Sequence, residues 1–229
     1  MKIGIIGAMA VEVESLKARI ENKISEKVSG IEFVSGKLCG KDVVIAQCGI
    51  GKVFSAICAE AMIVRFGVDA VINTGVAGTL SEKIGILDLA ISDSVVQHDM
   101  DTSPLGDPVG LLSGINIVKL PASERLWTAV SAAADKMGIN YQLGVIASGD
   151  QFICDAGKKD YIKSNFDAIA CEMEGGSIGH VCYVNGVEFV VIRSISDNAS
   201  GEANMEYPEM VKRAAAQSEA LVIEALSRL

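Results

Sequence analysis

The sequence predicts an α/β fold: a single three-layer α/β/α domain, spanning residues 1–229, with helices on both faces of a central mixed β-sheet. Apolar runs of strand length alternate along the chain with longer segments whose apolar residues recur at helical period. The 229 residues, half of them hydrophobic, suffice for one large core. No Pro/Ser-rich or low-complexity stretch marks a linker. This mixture of strands and helices is typical of a layered α/β domain.

The alternation begins at the N-terminus. Residues 2–6 form a short apolar run, which predicts a buried first strand. In residues 9–20 an apolar side chain recurs every three or four positions, which is the spacing of a helix. Residues 32–38 and 42–48 are two further strand-like runs, and the short Gly-containing segment between them predicts a hairpin.

The rest of the chain continues this pattern. Strands are predicted at residues 70–74, 86–96, 141–147, 166–171 and 187–192. Helices are predicted at residues 51–66, 122–137, 176–183 and 207–226. Residues 99–114 contain two prolines and several glycines. They predict a loop, whose length is typical of a functional segment.

Composition narrows the class of function. A net charge of −9 argues against a nucleic-acid partner, because nucleic-acid binders carry basic patches. No apolar stretch approaches the ~18 residues of a membrane span. The six cysteines form no CxxC pair and mostly lie in apolar segments, which is typical of a reducing, cytoplasmic location. The presence of only two histidines argues against a His-based metal site, and neither a metal nor another cofactor is predicted.

Glycine-containing turns are predicted after three strands, at residues 4–7, 49–52 and 75–78. None completes the GxGxxG or GxxxxGK[ST] pattern of a dinucleotide or nucleoside-triphosphate site. The segment 75–78 ends a predicted central strand, and its glycines would let the backbone approach a ligand closely. We therefore predict ligand contacts at Ala77 and Gly78.

Charged side chains follow two of the predicted strands. Glu172 and Glu174 come directly after one strand, and Arg193 and Asp197 after the next. Ligands of open α/β sheets bind outside the carboxyl ends of strands, so these side chains form a candidate site. The local pattern is equally consistent with Glu174 capping the following helix and Asp197 serving in a turn. Glu12, taken alone, is typical of the first turn of a surface helix.

Five motifs follow one another along the chain. They are Gly7-Ala8-Met9 with Glu12, Asn73-Thr74-Gly75-Val76-Ala77-Gly78, Ser148-Gly149-Asp150-Gln151-Phe152-Ile153, Glu172-Met173-Glu174 and Arg193-Ser194-Ile195-Ser196-Asp197. Together they resemble the 5'-methylthioadenosine/S-adenosylhomocysteine nucleosidases of the nucleoside phosphorylase superfamily. The resemblance covers essentially the whole chain. It implies a nucleoside phosphorylase-like fold and an N-glycosyl hydrolase without a cofactor.

The resemblance assigns four catalytic residues. Asp197 corresponds to the general acid that protonates adenine N7, and a positioned acid typically accelerates such a step by ~10²–10⁴-fold. Glu12 corresponds to the base that activates the attacking water, and Arg193 to a residue that helps to hold this water. Glu174 corresponds to the carboxylate that binds the ribose hydroxyls and faces the developing positive charge.

The resemblance also implies a set of substrate contacts. They are Phe152, Ile153 and Ser196 for the base, Met9 and Met173 for the sugar, and Ile50 and Tyr207 for the 5' substituent. Glu172 is carried over only as a polar neighbour of the site.

The loop at residues 99–114 predicts an interface. It contains Met100, Leu105 and further apolar side chains, and a contiguous exposed apolar patch usually marks an interaction surface. The alternative is that the loop packs on its own subunit. The resemblance favours a homodimer, in which Met100 and Leu105 would contact the 5' substituent in the partner's site across a two-fold axis.

The predicted reaction is hydrolysis of the N-glycosidic bond of 5'-methylthioadenosine, S-adenosylhomocysteine and 5'-deoxyadenosine, releasing adenine and the 5'-substituted ribose. A phosphate-dependent phosphorylase is disfavoured, because Asn73 stands where related phosphorylases carry an Arg and Val76 offers no hydroxyl. A nucleoside-binding protein without turnover should have lost at least one of Glu12, Glu174 and Asp197. All three are present, which argues against this alternative. A nucleosidase for a futalosine-type substrate stays open, because an acidic residue such as Asp197 can serve adenine or hypoxanthine.

Overall fold

The computed structural model describes residues 1–197 and 207–229. Within these residues, ten strands form one mixed sheet. The strands are β1 (Lys2–Gly7), β2 (Glu21–Val28), β3 (Ile31–Leu38), β4 (Lys41–Gln47), β5 (Ala70–Thr79), β6 (Leu89–Gln97), β7 (Leu120–Pro121), β8 (Tyr141–Ser148), β9 (Ala168–Glu172) and β10 (Glu188–Asp197). The helices are α1 (Ala10–Arg19), α2 (Lys52–Val64), α3 (Glu124–Met137), α4 (Ala156–Phe166), α5 (Gly175–Asn185) and α6 (Tyr207–Leu226).

The sheet combines a closed and an open part. Its order is β10-β6-β8-β9-β5-β1-β4-β3-β2, with β7 beside β6. Because β10 also pairs with β5, the strands β5, β10, β6, β8 and β9 close on one another, while β1, β4, β3 and β2 extend as an open sheet. The β1–β5 and β10–β5 pairs are parallel, whereas β10–β6 and β9–β5 are antiparallel. The predicted mixed sheet is confirmed.

Helices cover both faces of the sheet. On one face Met62 of α2 and Ile178 of α5 lie in one buried cluster. On the other face Leu16 of α1, Val130 of α3 and Leu221 of α6 lie in a second cluster. Burial of each apolar side chain of this kind stabilises the folded state by ~1.5–3 kcal/mol. The central strands are buried on both sides, which is why they are continuous apolar runs in the sequence. The predicted three-layer arrangement is confirmed.

Besides the two-residue strand β7, two elements of the structure have no counterpart among the sequence predictions. β3 and β4 form the predicted antiparallel hairpin, but β2 pairs with β3 as a third strand. β2 is an edge strand with mostly exposed polar side chains, so it lacks the apolar pattern of the inner strands. α4 is similarly polar and buries few side chains, chiefly Ile162 and Phe166. Neither element carries a clear hydrophobic period.

The predicted turns at residues 4–7 and 75–78 are wrong, because β1 runs through the first segment and β5 through the second. β5 continues through residues 75–78 to Thr79, where it pairs with β10 and β9. β10 likewise runs beyond its predicted end at residue 192 and reaches Asp197, with a register shift between Ile195 and Asp197. The hydrogen-bond partners of these extensions come from distant parts of the chain, so no local signal marks them.

The predicted loop at residues 99–114 is confirmed. Its regular structure, among the described residues, is a 3₁₀ turn at Ser103–Leu105 and a single bridge between Leu112 and Ile117. Across the described part of the chain, no helix has both the length and the apolar character needed to cross a membrane.

Candidate active site

Charged side chains from four elements meet at one edge of the sheet. Glu12 lies in the first turn of α1, Glu172 ends β9, Glu174 precedes α5 and Arg193 lies on β10. Each of the four residues is at most 8% exposed. A buried charge is strongly unfavourable unless it is paired and hydrogen-bonded, so the partners of these groups define the site.

Arg193 lies between two carboxylates. Its Nη2 donates to Oε2 of Glu172 and lies 3.7 Å from Oε2 of Glu174. The same nitrogen donates to Oδ1 of Asn73 on β5 at 2.6 Å. Burial lowers the pKa of a guanidinium, but the charges of Glu172, Glu174 and Glu12 raise the pKa of Arg193 above its ordinary value. Arg193 therefore stays cationic.

Glu172 is the most heavily bonded carboxylate of the site. Besides Arg193, it accepts hydrogen bonds from the Ser148 hydroxyl and from the N–H groups of Glu174 and Gly175, at 3.0 Å and 2.8 Å for Oε2. Burial raises the pKa of Glu172, but Arg193 and these donors outweigh it and hold the pKa below its usual range. Glu172 is thus the ionised partner of Arg193 at neutral pH.

Two adjacent glycines allow this close packing. A Cβ at Gly175 would lie 3.0 Å from the methyl groups of Val191 and 3.1 Å from Oε1 of Glu172. At Gly176 a Cβ would lie 2.9 Å from the Val96 carbonyl oxygen. Alanine would therefore clash with backbone at position 176 and would need its neighbours to shift at position 175, although alanine has the higher helix propensity.

Glu174 is poised between its charged and neutral forms. Its Oε1 accepts a hydrogen bond from the Gly51 N–H at 2.9 Å. Burial and the nearby charge of Glu172 raise the pKa of Glu174 to about 7, against the opposing effect of Arg193. Small changes in its surroundings will therefore change its ionisation near neutral pH.

Glu12 points inward, away from the solvent. Met9, which precedes α1, makes no side-chain cap, and Glu12 fills that role: its Oε2 accepts from the N–H groups of Ala8 at 2.7 Å and Met9 at 2.9 Å. Its Oε1 accepts from the Val76 N–H at 3.2 Å. Burial raises the pKa of Glu12 in spite of Arg193 and these donors. The alternative interpretation, that Glu12 is an ordinary residue of a surface helix, is therefore wrong.

A cavity opens above these charges. Its empty volume is about 660 Å³, including the part that opens to solvent. Of the residues predicted to bind substrate, those that line it are Met9, Ile50, Ala77, Gly78, Phe152, Ile153, Glu172, Met173 and Ser196, and Glu174 joins them. Glu12 and Arg193 reach the groups that line the cavity from below, through the Val76 N–H and the carboxylate of Glu174.

Four further predicted site residues are not found in the cavity in the described part of the chain. The backbone of Asp197 pairs with Gly78 at the cavity edge, but the Asp197 side chain lies outside the described residues. Tyr207 begins α6, and its side chain lies outside them as well. In the described part of this chain, Met100 packs on the core and Leu105 is 84% exposed, and neither is among the residues that line the cavity.

Some functional positions were not assigned a role from the sequence. Asn73 bonds Arg193 and also donates to the Ile6 carbonyl at 2.9 Å. Ser148 bonds Glu172, and the Gly51 backbone bonds Glu174. Asn73 and Ser148 are polar residues near the carboxyl ends of apolar strands, which is a usable signal. The Gly51 contact gives none, because any residue has a backbone N–H.

Comparison with known proteins places the chain in a family. The family model of the phosphorylase superfamily matches residues 2–227. A 5'-methylthioadenosine/S-adenosylhomocysteine nucleosidase of Shewanella halifaxensis is 40% identical over 230 residues, covering all of both chains. The chain belongs to this nucleosidase family within the phosphorylase superfamily.

Solved structures agree with the fold. A Helicobacter pylori nucleosidase variant, in which an aspartate is replaced by asparagine and 5'-methylthioadenosine occupies the active site, is 35% identical with a TM-score of 0.94. That comparison covers 100% of this chain and 99% of the other. The futalosine hydrolase of H. pylori is 36% identical with a TM-score of 0.94, covering 100% and 98%. The predicted nucleoside phosphorylase-like fold is confirmed.

Proposed function

We propose that the protein hydrolyses the N-glycosidic bond of 5'-methylthioadenosine and S-adenosylhomocysteine, and also of 5'-deoxyadenosine. The products are adenine and the 5'-substituted ribose. One observation carries the proposal: Glu12, Glu174 and Arg193 are buried together beneath a largely apolar cavity, in a chain whose relatives are nucleosidases of this kind.

Three acidic residues have roles in the proposed reaction. Asp197 donates a proton to adenine N7 while the bond between the base and the sugar breaks. Glu12 accepts a proton from water while the water oxygen bonds to the anomeric carbon, and its raised pKa suits a proton acceptor. Glu174 accepts hydrogen bonds from the ribose hydroxyls, and its charge stabilises the cationic transition state.

Electrostatics supports water, rather than phosphate, as the nucleophile. Glu174 lines the cavity and Glu12 lies beneath it, and the negative charges of both repel an anion. Arg193 is already paired with Glu172. The Val76 N–H is bonded to Glu12, so this donor is not available to phosphate.

A product assay tests the proposal. The protein is incubated with each nucleoside, with and without phosphate, and the free 5'-substituted ribose is separated from its 1-phosphate. We expect adenine and the free 5'-substituted ribose at a rate independent of phosphate. Glu12→Gln serves as a control that should bind the nucleoside but not cleave it. Formation of the 1-phosphate of the 5'-substituted ribose, or a rate proportional to phosphate, would establish the phosphorylase instead.

Futalosine is a second candidate substrate. The similarity to the futalosine hydrolase of H. pylori supports it. The same assay with futalosine measures its kcat/KM against that of 5'-methylthioadenosine.

A cytoplasmic homodimer completes the proposal. Ile50 lines the cavity and is exposed, and Val53, Phe54 and Ile57 of the adjacent α2 are exposed as well. Leu105 cannot serve its own cavity in the described arrangement, which supports its role in the cavity of a second copy. Leu105→Asp should therefore give monomers and lower activity together, measured by sedimentation at assay concentration. A fully active wild-type monomer would contradict the dimer.

A further inference from the structure

Three loops at the rim of the cavity are tied by a ring of hydrogen bonds. Lys52 begins α2, Asp99 follows β6 and Asp150 follows β8. The Lys52 N–H donates to Oδ1 of Asp150 at 2.7 Å, and the Asp150 N–H donates to Oδ2 of Asp99 at 2.9 Å. The Lys52 Nζ closes the ring with Oδ1 of Asp99 at 2.6 Å.

The ring is adjacent to a contact inside the cavity. Consecutive N–H groups point at two different carboxylates: that of Gly51 at Glu174 and that of Lys52 at Asp150. The backbone of Gly51 has a φ of +96°, which is strongly unfavourable for any residue that carries a Cβ. A Cβ there would lie only 2.9 Å from Oδ1 of Asp150. The direction of the Gly51 N–H is therefore fixed by how Asp150 holds the next residue.

We propose that Asp150 is a positioning residue for nucleoside hydrolysis, which aims the Gly51 N–H at Glu174 and so keeps that carboxylate charged toward the sugar. The proposal rests on the proposed function, in which ionised Glu174 binds the ribose hydroxyls. Asp150 acts through the backbone of α2 and is not itself among the residues that line the cavity.

The proposal predicts the direction in which the pKa of Glu174 changes when Asp150 is replaced. Glu172, Glu12 and Arg193 face Glu174, and the Cys48 thiol also lies near it. Removing the negative charge of Asp150 would, by charge alone, make Glu174 easier to ionise and lower its pKa. Losing the Gly51 N–H does the opposite, because a hydrogen bond to the charged form lowers a carboxyl pKa. The direction of the change separates positioning from simple charge removal.

The experiment measures kcat/KM for adenine release from 5'-methylthioadenosine as a function of pH. The acid limb of this pH profile is the range in which kcat/KM rises as Glu174 ionises. In Asp150→Ala we expect this limb to shift to higher pH by roughly one unit, so that kcat/KM falls about tenfold there and recovers at alkaline pH. Asp150→Asn keeps an oxygen acceptor for the Lys52 N–H, and its acid limb should stay at or slightly below that of the wild type. If Asp150→Ala does not fold, Asp99→Ala provides a second test. It frees the Asp150 N–H and should also move the acid limb to higher pH.

Asp155 provides the matched control, because it lies with Asp150 in the connection between β8 and α4. Asp155 accepts a hydrogen bond from the Lys158 N–H at 2.9 Å and caps α4, so Asp155→Ala removes a similar bond without touching the ring. It should leave the acid limb in place. An unmoved or lowered limb in Asp150→Ala, or an equal rise in Asp155→Ala, overturns the proposal.

A second readout does not depend on turnover. The Glu174 carboxyl can be titrated by ¹³C NMR, with its signal assigned by its absence from Glu174→Gln. A wild type that releases no adenine would refute the proposed function, while the NMR comparison would still decide whether Asp150 controls the ionisation of Glu174. A Glu174 titration that is the same in the wild type and in Asp150→Ala refutes the proposal.

Discussion

Replacing Gly75 by alanine would place a methyl group against the Glu12 carboxylate. The new Cβ would lie 2.6 Å from Oε1 of Glu12 and 3.0 Å from Nη1 of Arg193. An ordinary contact is ~3.5 Å or more, so the Glu12 carboxylate must move by up to about 1 Å. Such a shift breaks its 3.2 Å bond from the Val76 N–H. A misplacement of this size can lower the rate by ~10²-fold, and we expect kcat to fall by ~10–100-fold.

The assay is adenine release at saturating 5'-methylthioadenosine, with the nucleoside Kd measured separately. Crowding at this buried position should also lower the free energy of unfolding by ~1–3 kcal/mol, read from urea denaturation. Gly85→Ala is the matched control, because no atom lies within 4 Å of a Cβ at Gly85. A folded Gly75→Ala variant with the kcat of the wild type would refute the reasoning about the position of Glu12.

Three further predictions concern the other charged groups. Asp197→Asn keeps the shape but removes the proton donor, so kcat should fall at least ~10²-fold with an unchanged circular dichroism spectrum. Arg193→Met leaves Glu172 buried without its cation and should cost ~3–5 kcal/mol of unfolding free energy, measured by urea denaturation. The pKa of Glu174 is raised to about 7, so the folded state holds a proton that the unfolded chain releases, and stability falls as pH rises from about 4.5 through about 7. Glu174→Gln lacks this loss, so its Tm relative to that of the wild type should rise between pH 5 and pH 8. A constant Tm difference would contradict the raised pKa.

Local sequence pattern predicted most of the fold, because most elements are buried. The strands at residues 2–6 and 141–147 and the helix at 122–137 follow from apolar runs or apolar period, and the structure contains all three. The same criterion fails for β2 and α4, whose side chains are largely polar or exposed. It also fails at residues 75–78, where pairing with distant strands extends β5.

Motif order predicted most of the residues that line the cavity, including Phe152 and Met173. The electrostatics could not be predicted in that way. Glu172 and Glu174 are two residues apart and chemically identical, yet burial and partners lower the pKa of the first and raise that of the second.

The sequence by itself determined the layered α/β class and the identity of the charged residues, because hydrophobic period and residue type are local properties. Only the tertiary structure decided which carboxylate Arg193 neutralises and which backbone N–H groups bind Glu12 and Glu174. Apart from the local bonds of the Ala8 and Met9 N–H groups to Glu12, these contacts join residues that are 21 to 123 positions apart, as in the Arg193–Glu172 and Gly51–Glu174 pairs. A pKa depends on the distances to such charges and on burial, and both are set only when the strands and helices pack together.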